Sequence, residues 1–133
     1  MEEALRGGTG VFALQAAIAA LHCQAARAEE TDWAQIVRLY DLLQRLQPSP
    51  IVSLNRAVAI AMVDGASAAL GLVDALATQL DDYHLFHTTR ADLLRRVGAL
   101  ESAAQSYTRA LTLVTNDSER RFLEYRLHEV QPS

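Results

Sequence analysis

His84 and His87 stand three residues apart in YHLFHTTRADLLRRVG, with Asp81, Asp82 and Asp92 close by in sequence. On a helix that spacing turns both imidazoles toward one side, as a metal site requires. No third ligand has a matching position and the chain has one cysteine, so no metal is expected. The plainer reading puts His84 near a helix start and packs His87 with one hydrogen bond. His22-Cys23 sets a thiol beside a base, but adjacent helical residues point about 100° apart and cannot act on each other as nucleophile and base. Cys23 reads as a small core residue. Gly7-Gly8-Thr9-Gly10 lacks the lysine and preceding strand of a phosphate loop and reads as a linker. Asn116-Asp117-Ser118 has glycosylation-acceptor spacing, but Asn116 is better read as a helix cap with Glu119 three residues on. No nucleophile–base pair, metal set or phosphate loop emerges, so neither an enzyme nor a cofactor is expected.

The elements that must hold these side chains follow from spacing. The stretch after His87 carries Gly98-x4-Ala103-x3-Tyr107-x2-Ala110-x4-Thr115. This is the second-helix pattern of a tetratricopeptide (TPR) repeat. Ala103 and Ala110 lie two helical turns apart on one face, where small side chains let a partner helix approach. Tyr107 fills the space beside them, and Gly98 supplies the free backbone of a tight helix–helix turn. Gly65 and Thr31 recur before Gly98 at a period of about 34 residues, and Tyr40 is in register with Tyr107. The middle copy departs, with Asp74 at the aromatic position. The apolar periods predict helices over 11–27, 32–46, 50–63, 66–78, 83–97, 100–114 and 117–130. Phe12, Leu14, Ile18 and Leu21 supply bulk in the first. Asp32 or Thr31, Ser49 with Pro50, Asp81 or Asp82, and Asn116 are the expected caps. Leu54, Val58, Ala61 and Met62 are expected to line one side of the helix over 50–63. The helix over 66–78 is apolar almost all round, hence expected to be central. Phe122, Leu123, Leu127 and Val130 are expected to face inward on the last. The expected fold is all-α: a TPR-like superhelical stack of about three helical hairpins with a C-terminal capping helix. Residues 11–130 form that domain, and residues 1–10 read as the end of a truncated upstream helix and a linker.

In such a stack the first helix of each pair lines the concave face, which places Asn55 and Thr88 at equivalent groove positions. Asp92 and Arg95 follow Thr88 along the same helix. With Arg56, His87 and Arg90 they form the candidate groove set, suited to an acidic or extended peptide. The alternative is that Arg56 and Arg90 lie along the surface and pair with Asp41 or Asp92.

Bulk properties narrow the function further. The chain has 133 residues, half of them apolar, and a net formal charge of −4. One domain with a sizeable core is expected. The acidic balance, with no basic run longer than Arg120-Arg121, disfavours direct binding to nucleic acid. The lone cysteine suits a reducing cytoplasm. No apolar run has the length of a membrane span, and Met1-Glu2-Glu3 is acidic where a signal peptide is basic.

The pieces GGTGVFALQAAIAALH, TDWAQIVRLYDLL, PSPIVSLNRAVAIAMVDG, YHLFHTTRADLLRRVG and NDSERRFLEYRL, in this order from about Leu5 to Leu127, resemble the C-terminal TPR-like extension of a bacterial family of extracytoplasmic-function (ECF) RNA polymerase sigma factors. Asn55 and Arg56 in LNRAVA, and His87 and Arg90 in H-x-x-RA-x-LL, match the family pattern. Val11 and Phe12 stand where the family often has a tyrosine after proline. The resemblance implies a regulatory, protein-interaction module in transcription initiation, needed for sigma activity and standing in for a conventional anti-sigma factor. Its implied partners are upstream sigma-2 and sigma-4 regions, core polymerase or a signalling protein. The full-length protein, rather than this segment, is expected to bind promoter DNA. A competing reading is a sensor that binds a small acidic metabolite through Asn55, Arg56, His87 and Arg90.

Overall fold

The structure, a computed structural model, describes residues 8–24 and 31–131, with side chains for residues 10–20 and 31–131. All regular structure among the described residues is helical: α1 (Gly8–Gln24), α2 (Trp33–Leu46), α3 (Pro50–Asp64), α4 (Ala66–Asp74), α5 (Ala77–Leu80), α6 (His84–Arg96), α7 (Leu100–Leu113) and α8 (Asp117–Val130). The chain is an all-α array of successive helices, as its periodicity predicts. It divides between Val63 and Asp64 into two compact units.

In the first unit, α1 packs on α2. Asp32 caps α2, its side chain accepting from the Gln35 amide at 3.1 Å. That start fixes the helix so that Ile36 and Leu43, seven residues apart, are buried on one face. α1 answers with Leu14 and Ile18. Leu14, Leu43 and Val52 form one apolar layer, and Ile18, Ile36 and Ala59 form the next. Ser49 Oγ accepts from the Ile51 amide at 3.2 Å, so Pro50 opens α3 as expected. Three expectations need correction here. α1 begins at Gly8, so Gly8, Thr9 and Gly10 are helical rather than linker. Phe12 is 70% exposed, because it is off the face carrying Leu14 and Ile18. On α3, Val58 and Met62 are exposed, whereas Val52, Ala57 and Ile60 are buried beside Leu54 and Ala61. α3 is apolar on most sides, so its sequence alone leaves the buried face ambiguous. The truncated helix over residues 2–6, and the His22 and Cys23 side chains, lie outside the described residues.

In the second unit, α6 packs on α7, α7 on α8, and α4 on α6. The turn from α6 to α7 is a Schellman motif. The Gly98 amide donates to the Arg95 carbonyl at 3.1 Å, and the Ala99 amide to the Leu94 carbonyl at 2.9 Å. This closure requires a left-handed residue, and Gly98 has φ +87°. Beyond it, Ala103, Tyr107 and Ala110 are buried against Ala91 and Leu94 of α6 and against Leu123 and Val130 of α8. Small residues on both sides of the α6–α7 contact admit the close approach, and Tyr107 occupies the space they leave. Asn116 caps α8, its Oδ1 accepting from the Glu119 amide at 3.0 Å.

The helix expected over 66–78 breaks at Ala75 and Leu76, giving α4 and the single turn α5. The Leu76 amide bonds to the Val73 carbonyl in a tightened turn, and the Asp74 side chain is drawn to Arg90. α4 buries only Ala69 and Val73 and exposes Leu72, so it is a one-faced helix rather than a central one. Asp81 and Asp82 do not cap α6. Tyr83 is its N-cap residue, and Arg109 reaches both aspartates, at 3.2 and 3.5 Å.

A Cβ on Gly98 meets no atom within 4 Å, so substitution there reports backbone strain alone. Gly98→Ala is expected to cost about 1–2 kcal/mol, read as a fall in Tm of about 5 °C or more, and Gly98→Val more, since β-branching worsens positive φ. Gly71→Ala, inside α4 with equally open surroundings, should instead leave Tm unchanged or raise it. Equal melting of Gly98→Ala and the parent would mean that the turn does not hold the hairpin.

Candidate functional site

Asn55 and Arg56 lie in the first unit, and His87, Thr88, Arg90, Asp92 and Arg95 in the second. Arg56 points from α3 to α2, where its Nε donates to Asp41 Oδ1 at 2.6 Å. That is the pairing weighed in the sequence as the alternative to a groove. Asn55, the next residue round the helix, is exposed and rims a shallow cavity of about 130 Å³. Trp33, Ile36, Tyr40 and Val58 supply its apolar lining. Burial pushes the Tyr40 phenol above its usual value.

α6 carries the rest. His87 is nearly buried, edge-on to Phe86 with ring centroids 4.9 Å apart. Its Nε2 lies 2.7 Å from the Asp81 carbonyl, which can only accept, so the ring donates from Nε2. Thr88 Oγ1 donates to the His84 carbonyl one turn back, at 3.0 Å. Arg90 ties three helices together: Nε donates to Asp74 Oδ1 of α4 and Nη1 to Ser106 Oγ of α7, each at 2.8 Å. Ser106 is one of the few buried polar residues, so this bond also satisfies a hydroxyl that the packing removes from water. Asp92 takes Arg95 at 2.6 Å and Arg96 at 2.9 Å.

Arg95 also stands beside the Tyr107 hydroxyl. Its pKa is raised, first by the hydrogen bond to Asp92 and then by Tyr107. Burial pushes the Tyr107 phenol up, and the Arg95 guanidinium partly offsets that push. The guanidinium stands close to the hydroxyl without making a hydrogen bond of good geometry to it. The motif residues of H-x-x-RA-x-LL therefore hold the hairpin: His87 pins the loop before α6, and Arg90 pins α4 and α7.

His84 does not face the same partner as His87. Its Nε2 stands 2.8 Å from Glu119 Oε2 of α8. Among the described residues no group of three or more His, Cys, Asp or Glu side chains is placed to hold a metal ion. No helix among them is long and apolar enough to cross a membrane.

Sequence reasoning missed a second feature of α6 and α8. His84, Leu85, Thr88, Glu119, Phe122 and Leu123 line a cavity of about 140 Å³. Contrary to the inward position that the sequence predicts for it, Phe122 is 48% exposed. Leu123 and Val130 take the buried face of α8, and Phe122, about 100° round from Leu123, is left as an outward aromatic.

No family model matches the chain, and no solved structure matches it. A protein of Rhizobium meliloti (strain 1021), named uncharacterized protein R00370, is 46% identical over 118 residues, which cover 89% of this chain. The chain spans 28% of the length of that relative.

Two outcomes follow from the clamps. Arg90→Ala should cost about 1 kcal/mol, a fall in Tm of about 4 °C, because it frees Asp74 and strands Ser106. An unchanged Tm would show that the clamp contributes nothing. Tyr107 holds its proton more tightly folded than unfolded. Its contribution is therefore complete below the ordinary phenol pKa of 10.0 and lost as pH rises through the higher folded value. Tm should fall as pH rises above 10.0, less steeply in Tyr107→Phe. Identical slopes would remove Tyr107 from the titration.

Proposed function

We propose that this domain is the regulatory, partner-binding module of an ECF-type RNA polymerase sigma factor, acting in the cytoplasm through contacts with sigma regions, core polymerase or a signalling protein. One observation carries the reading. The pieces that resemble the sigma-factor extension fold as successive helices, and those helices keep large apolar side chains outside, among them Leu85, Phe122 and Tyr125. Exposed aromatics on a helical-repeat scaffold are characteristic of protein-binding surfaces. The matching arginines support a scaffold as well, since Arg56 and Arg90 join helices.

The small-metabolite reading is weaker. Arg56 Nε, His87 Nε2, and Arg90 Nε and Nη1 are all engaged within their own units. A ligand would be left with the remaining N–H groups of side chains already committed to holding helices together.

Promoter-directed run-off transcription is the test. The whole gene product containing this sequence, added to purified core polymerase, should start transcripts at defined promoters. Removing residues 8–131 should change their yield several-fold. No promoter-directed transcript from the intact product would overturn the sigma-factor assignment.

A further inference from the structure

The cavity between α6 and α8 has one apolar floor and two open walls. Leu123, 1% exposed, is the floor, and Leu85 and Phe122 stand on either side at 41% and 48% exposure. Its volume of about 140 Å³ compares with the roughly 150 Å³ that accommodates a benzene ring in an apolar protein cavity. One Leu, Met or Phe side chain fits.

The rim gives the charge of the guest. Glu119 is the only carboxylate among the lining residues. Its side chain is about half exposed and its Oε2 is already paired with His84 Nε2 at 2.8 Å, so a guest cation joins that pair from the solvent side of the carboxylate. Thr88 adds no free donor, because its hydroxyl is spent on the His84 carbonyl. The surrounding unit is acidic, with ten Asp and Glu against seven Arg over residues 64–133. A guest that fills the cavity and complements Glu119 is apolar at its anchor and basic beside it.

We propose that the α6–α8 cavity is a docking site for a short segment of a partner protein, which inserts a Leu, Met or Phe between Leu85 and Phe122 and sets an adjacent Arg or Lys against Glu119. This rests on the interaction-module reading and names the partner's chemistry. The anchor supplies affinity by burying apolar surface. The ion pair supplies register and partner choice.

The test needs neither polymerase nor promoter, so its failure is separate from a failure of the sigma-factor assignment. A display library of random peptides of about 12 residues, roughly three helical turns, is selected on this chain. Enriched peptides should pair Leu, Met or Phe with a neighbouring Arg or Lys. Leu85→Arg should weaken their binding about tenfold or more, with a melting curve like the parent's because Leu85 is exposed. Glu119→Lys should redirect selection toward Asp and Glu beside the same anchor. The proposal fails if no peptide is enriched over a scrambled pool, if Leu85→Arg leaves binding intact, or if Glu119→Lys does not switch the preferred charge. It fails equally if sedimentation shows a dimer that Leu85→Arg dissolves, since a second copy would then occupy the cavity.

Discussion

The left-handed turn at Gly98 is the constraint on which the second unit depends. An α-helix can reverse within two residues only if its last carbonyls are met and one residue takes positive φ. Gly98 does both with Ala99, bonding Arg95 and Leu94. Once α7 is folded back, it must lie close to α6, and only small residues at the contact allow that. Ala91 on one side and Ala103 and Ala110 on the other are fully buried. The same closeness creates a need for one large filler, and Tyr107 takes that place. Leu123 and Val130 of α8 then cover the far side of the same core. A single backbone conformation thus determines which side chains are small, which one is large, and where the next helix sits.

Polar residues join the helices where apolar packing is thin. α4 buries only two residues, too few to fix it firmly, and Arg90 adds a directional bond from α6 through Asp74. That bond explains the exception in the middle repeat. Position 74 is about half exposed where Tyr107 is buried, and its aspartate completes a clamp with Arg90 and Ser106. The backbone leaves the α-helix just after this residue, at Ala75 and Leu76. Arg56 and Asp41 perform the same task between α3 and α2 in the first unit.

Much of this was readable from residue types. The helix periods other than that over 66–78, the caps at Asp32, Ser49 and Asn116, the left-handed Gly98, and the buried Ala103, Tyr107 and Ala110 all rest on local rules that tertiary contacts did not override. The errors share a different cause. α3 is apolar nearly all round, so no period selects Ile60 over Met62. Asp81 and Asp82 look like caps, but Arg109, distant in sequence, takes them. The clamp on Asp74 is likewise long-range. Of the candidate site, the residue identities were legible but their roles were not. Arg56, His87 and Arg90 looked like ligands for a partner because polar side chains on a groove helix are expected to face outward. Their partners lie 6 to 16 residues away along the chain, which no helical period reveals.

α8 poses the remaining physical question. A helix with one side in water is stable when that side is charged, and Arg120, Arg121, Glu124 and Glu129 are exposed on α8. Phe122 and Tyr125 are exposed without a charge; Tyr125 is 62% exposed. Arg126 partly shields Phe122, its guanidinium carbon lying 5.3 Å from the ring centroid while Nη1 holds Glu129 at 2.9 Å. Such a contact retains a cation over the aromatic face without covering its edge. The ring thus carries a cation on one face and stands beside the cavity floored by Leu123. A half-exposed aromatic next to an apolar hollow and one carboxylate is better suited to receiving a side chain than to closing a core.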